Sequence, residues 1–174
     1  MKRFFQGLGL LMAAVFVQVL ASHQVPVVQR AVDLVLLVVV YYGSSGARVG
    51  SMLAGAAGGI LEDLWSNSLM GLHGFTKTLI GYLLGGLGSR FDLTSPSARL
   101  LAVFLATVVE KLMEPLVMLG IGLPAAPPNL GEMIWRTIGN VLVGGIFFFS
   151  LAGKGKIEKP RPLRRRHRRG PVTA

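Results

Sequence analysis

Cysteine is absent from the 174-residue chain, so disulfide frameworks and thiolate metal sites are excluded from the start. Charge is scarce: only 15% of residues are charged. Histidine occurs three times, and no two lie at a metal-ligand spacing. No nucleophile–base arrangement, glycine-rich phosphate loop or zinc motif is present, which argues against an enzyme. No internal repeat is found, so an inverted-repeat transporter has no support. What remains is apolar: 52% hydrophobic residues and a mean hydropathy of +0.59. The 23 glycines fall largely within apolar runs rather than polar linkers. These features describe an all-α polytopic membrane protein.

The net charge of +10 misleads if read over the whole chain. Residues 154–169 hold nine Lys/Arg and one Glu, which is +8 and leaves +2 for the rest. The tail could bind anionic lipid or a cytoplasmic protein through Arg164, Arg165, Arg166, Arg168 and Arg169. Its plainer role is a topology anchor. Nucleic acid is not expected, because no aromatic residues interleave with the arginines.

Apolar runs predict six spans, at about 4–21, 27–42, 49–65, 72–88, 98–121 and 131–152, forming one domain over 1–153. The first also fits a cleavable signal peptide, with a basic start and Val19-Leu20-Ala21 at its end. Tyr41 and Tyr42 suit an interfacial anchor. Pro96 is placed to open a helix, Pro115 interrupts the fifth span, and Pro124, Pro127 and Pro128 exclude regular helix from 122–129. Lys2, Arg3, Arg48, Arg90, Arg99 and the tail lie on one side, against Arg30 and the border residue Arg136 on the other. Positive charge therefore places both termini in the cytoplasm.

The central stretch, residues 51–89, reads as a helical hairpin. Ser51, Gly55, Gly59 and Asp63 recur every four residues and share a ridge; Ala54, Gly58, Glu62 and Ser66 form a second. Lys77, Gly81, Gly85 and Ser89 repeat the spacing on the following helix. Small residues at this interval let helices approach closely in a membrane. Two ridges on one helix also suggest a surface for a partner's span.

Eight charges lie inside the spans: Asp33, Glu62, Asp63, Lys77, Glu110, Lys111, Glu114 and Arg136. Counting from the loops places Glu110 and Lys111 near the middle and the others in the outer half. Each lone charge costs roughly 2.5–3.5 kcal/mol at a helix centre, so pairing or a wet cavity is expected. Lys77 is expected to answer Glu62 or Asp63, and Arg136 to sit between Glu110 and Glu114. An ion pathway or polar pocket is the functional alternative; a register-fixing network is the preferred reading. His73 is expected to act as an interfacial hydrogen-bonding residue, with no metal and no cofactor.

Gly58-Gly59-Ile60-Leu61-Glu62-Asp63-Leu64-Trp65, then Ser68-Leu69-Met70-Gly71-Leu72-His73-Gly74, then Lys77-Thr78-Leu79-Ile80-Gly81-Tyr82-Leu83 resembles the MreD family of rod shape-determining membrane proteins. Gly71 and His73 mark the family-like turn. The resemblance implies a non-enzymatic scaffold of the elongation machinery for peptidoglycan, with a bitopic MreC-like protein as partner. A transpeptidase, a RodA-like glycosyltransferase and MreB would be reached indirectly. Self-association is left open. The family is similar in fold to the S-components of energy-coupling-factor transporters, so a vitamin-binding S-component is the alternative, with a small ion-coupled transporter behind it. The Ala-x-x-x-Ala docking pattern of S-components is missing: Val17 and Gln18 follow Ala13 and Ala14 at four residues. If the tail is only an anchor, truncation after Gly153 leaves membrane and partner binding unaltered; loss of either, measured by fractionation and co-purification, assigns it a contact.

Overall fold

The computed structural model describes residues 31–66 and 69–152, together with Ala13. The first expected span, the signal-peptide reading of it and the arginine tail lie outside the described residues. Those described are helical, without strands. Five helices follow in order: α1 (Leu34–Ser44), α2 (Arg48–Ser66), α3 (Leu72–Arg90), α4 (Pro96–Gly120) and α5 (Leu130–Ala152).

Helix α1 is the axis of the bundle. Val35 through Val40 are all buried, so every face of the helix is covered. A helix apolar all round must be enclosed by other elements, and α2, α3, α4 and α5 all pack on it. It is also short. Its 11 residues rise about 16 Å, half of a bilayer core. The apolar run beginning near residue 27 suggested a longer helix, but residues 32 and 33 are not helical. The cause is Asp33, whose side chain accepts the Leu36 N–H at 2.8 Å and caps the helix.

Helices α2 and α3 form the most extensive pair, and glycine lets their backbones touch. A Cβ added to Gly59 would lie 2.5 Å from the His73 carbonyl oxygen, and one on Gly81 would lie 2.5 Å from that of Ser51. Gly55 faces the Lys77 carbonyl and Gly85 the backbone of Arg48 in the same way. Ser51 lies in this seam and donates from Oγ to the Gly81 carbonyl at 2.7 Å. The ridge of Ser51, Gly55 and Gly59 is thus filled by α3, and a partner span has no access to it. Gly58, on the neighbouring ridge, is buried as well. At the tip, Gly71 adopts φ +92°, the left-handed turn that a side chain disfavours.

Helix α4 starts as its sequence predicts, with Pro96 in the first turn and Ser95 accepting the Ala98 N–H at 3.3 Å. It then runs unbroken through Pro115 to Gly120. Proline is tolerated inside helices of membrane proteins, where neighbours and water re-satisfy the freed carbonyl. Helix α5 carries the described segment long and apolar enough to cross a membrane, Leu130–Leu151, with a mean hydropathy of 1.5.

Gly59→Leu is expected to lower the stability of the detergent-solubilised protein by about 1–3 kcal/mol or more, since backbone rather than a flexible side chain must give way. Gly120→Ala, with nothing within 4 Å of the added carbon, should be near neutral in the same denaturation assay.

Candidate functional site: an ionic cluster buried among five helices

Charged side chains lie buried beside the apolar core while large apolar ones are exposed, unlike a water-soluble protein. Asp33, Asp63, Lys77, Glu110 and Arg136 are buried, as are Thr76, Thr107 and Asn140. Leu53, Leu64, Leu83, Leu101, Leu142 and Ile146 are exposed. Such apolar surface is stable in contact with lipid.

Lys77 is the centre. Its side chain is completely buried, yet its Nζ meets three carboxylates from three other helices. It donates to Asp33 Oδ2 at the head of α1 and to Glu62 Oε2 on α2, and lies 3.1 Å from Glu110 Oε1 on α4. Arg136 on α5 closes the group, with Nη2 at 2.9 Å from Asp33 Oδ2 and 3.4 Å from Glu62 Oε1. One helical turn on, Asn140 Oδ1 accepts the Asp33 backbone N–H at 2.6 Å and its Nδ2 donates to Thr107 Oγ1 at 3.0 Å. Every described helix contributes.

Several of these residues pair differently from the expectation drawn from their spacing. Lys77 does answer Glu62, but it does not pair with Asp63. Asp63 closes the hairpin turn instead: it accepts the N–H groups of Gly71 at 2.9 Å, His73 at 3.0 Å and Gly74 at 3.1 Å, and its Oδ1 lies 2.7 Å from His73 Nδ1. Arg136 does not bridge Glu110 and Glu114. Glu114 pairs with Lys111 on its own helix, at 2.9 and 3.1 Å. The division by depth also fails. Counting about 1.5 Å per residue from the end shared by Ser44, Arg48, Arg90 and Pro96, Asp33, Glu62, Lys77 and Glu110 lie about 16–21 Å along their helices. They occupy one level because α1 begins at Asp33.

Two features have no single-sequence signal. Glu110 is fully buried, and among the described residues neither of its carboxylate oxygens accepts a hydrogen bond; Lys77 lies near Oε1 outside hydrogen-bonding geometry. His73, Glu110 and Glu114 come together, with one ligand-type atom from each within 4.8 Å of the others. Spacing along the chain does not reveal the three together, because they arrive from two helices.

Arg99 lies at the other end of the bundle. Its Nε donates to Ser44 Oγ at 3.0 Å, and its guanidinium covers the rings of Tyr41 and Phe148 at 5.2 and 5.4 Å. Tyr41 is therefore part of an internal stack as well as a place where an interfacial anchor was expected.

Buried charged side chains inside an apolar helical exterior define an integral membrane protein. The family model for rod shape-determining protein MreD matches residues 1–150, and the chain belongs to the MreD family. It is therefore a bacterial membrane protein that acts in rod-shape determination. No curated protein and no solved structure matches it.

Removing one partner from a buried ion pair costs about 3–5 kcal/mol, because the other charge is left uncompensated. Lys77→Met is expected to destabilise the protein on that scale. In double-mutant cycles, Asp33→Asn and Lys77→Met should couple by about 0.5–3 kcal/mol. The Asp63→Asn and Lys77→Met pair should be close to additive, since no direct bond joins them.

Proposed function

We propose that the chain is a non-enzymatic scaffold of the bacterial cell-elongation complex that binds the single transmembrane span of an MreC-like bitopic partner. Through that partner it is linked to the transpeptidase, the RodA-like glycosyltransferase and MreB. It crosses the inner membrane six times, with both termini in the cytoplasm, in agreement with the distribution of Lys and Arg over the loops. Residues 154–174 serve as a cytoplasmic anchor.

The observation that carries this reading is a long apolar face on a body held by buried ions. On α5, Ile134, Ile138, Leu142 and Ile146 recur every four residues and are all exposed, Ile146 by 73%. Gly55, Gly59, Gly81 and Gly85, the other candidates for a helix-binding groove, are used up between α2 and α3. The α5 stripe is continuous, and it lies on the helix that also supplies Arg136 to the cluster. A partner span seated there meets a surface whose orientation is fixed by ion pairs to α1 and α2.

Photocrosslinking residues at 142 and 146 should capture the MreC-like protein in cells, whereas those at 53 and 83, on α2 and α3, should capture it weakly or not at all. Crosslinks to lipid alone from all four positions, in variants that still support rod shape, would overturn the scaffold reading.

A further inference from the structure

We propose that His73, Glu110 and Glu114 form a binding site for one divalent first-row transition-metal ion of the Zn2+ type, which ties the hairpin turn to α4. This goes beyond the scaffold reading and does not depend on it.

The ligands come from two rigid pieces. Glu110 and Glu114 are one helical turn apart on the same ridge of α4, and His73 opens α3 immediately after the turn at Gly71. His73 Nε2 lies 3.6 Å from Glu114 Oε1. Two ligands of a tetrahedral ion with bonds of about 2.0–2.1 Å stand about 3.3–3.4 Å apart, so the His73–Glu114 pair needs little movement to receive one, and the Glu110 oxygen, within 4.8 Å of both, must close in on them. On the far side of the ring, Nδ1 is 2.7 Å from Asp63 Oδ1. A carboxylate there fixes the Nδ1–H tautomer and turns the Nε2 lone pair toward Glu110 and Glu114, as the outer carboxylate does in metal-bound histidines.

Proximity of acidic groups alone would carry nothing. The independent observation is Glu110 itself: a fully buried carboxylate with no hydrogen-bond donor on either oxygen among the described residues. Among the described residues its ion-pair partner is Lys77, 3.1 Å from Oε1, which also serves Asp33 and Glu62. Charge points the same way. Among the described residues, the cluster and its surroundings hold Asp33, Glu62, Asp63, Glu110 and Glu114 against Lys77, Lys111 and Arg136. The difference is two negative charges, which a divalent cation cancels. Imidazole with carboxylates suits Zn2+, Mn2+ or Fe2+ better than Mg2+ or Ca2+, which take oxygen ligands. Glu114, with 17% of its side chain exposed, offers the approach; Lys111, 2.9 Å from its Oε2, must shift as the ion enters.

The test uses the full chain in lipid nanodiscs, stripped with chelator and titrated with Co2+, whose visible absorption reports coordination, and with Zn2+ in competition. One Co2+ per chain is expected, displaced by Zn2+. Glu114→Gln, at a partly exposed position, should retain wild-type helicity and weaken binding by more than the roughly 10–100-fold that follows loss of an outer partner. Glu110→Gln should do the same. The double variant His23→Ala with His167→Ala, lacking the other two imidazoles, should bind normally. Absence of saturable Co2+ or Zn2+ binding to the wild-type chain would overturn the proposal. Unchanged affinity in folded Glu114→Gln would overturn it as well.

Discussion

An ammonium group with no access to water, held by carboxylates from three other helices, is the constraint around which this protein is arranged. Buried alone in an apolar interior, Lys77, Asp33, Glu62 or Arg136 would each be an uncompensated charge, costly to keep out of water. Each described helix joins the bundle with a rotation and an axial position that place its charge at the common level. Apolar contacts offer little such discrimination in lipid, because a leucine is as content against an acyl chain as against another leucine. The ions and hydrogen bonds thus supply the specificity, while glycine contact between α2 and α3 supplies the closest packing.

The two devices meet in the hairpin. Gly55 and Gly59 bring α2 against the backbone of α3, and that proximity lets Glu62 reach Lys77. Asp63, next along the chain, turns the other way and gathers the N–H groups that open α3. Adjacent acids therefore have different roles: one neutralises a cation across the seam, and the other ends a turn. Helix geometry accounts for this, since neighbours in sequence project about 100° apart.

Much of this was legible in the sequence. The four-residue spacing of Ser51, Gly55 and Gly59 announced close packing, and Pro96 and Gly71 marked a helix start and a turn. The number and types of the in-span charges required a network. What could not be read was who pairs with whom. Asp33 looked like a residue inside a longer apolar run, and only its capping of α1 explains why it shares a level with Glu110. Spacing along one helix suggested an Arg136 bridge between Glu110 and Glu114, but such pairs are decided by the rotation of α5 against α1, which no local pattern encodes. The approach of His73 to α4 was hidden for the same reason.

The self-closure of the α2–α3 hairpin bears on how the chain enters a membrane. Lys77 and Glu62 neutralise each other within one pair of helices, and Asp63 satisfies the donors at the tip of that same pair. The hairpin is thus electrically almost complete before α4 and α5 have been synthesised. It can move into lipid as a unit that carries a salt bridge rather than two separate ions. Asp33 on the preceding helix is then the waiting acceptor, and the late arrival of Arg136 on the last helix locks an assembly whose first half has already formed.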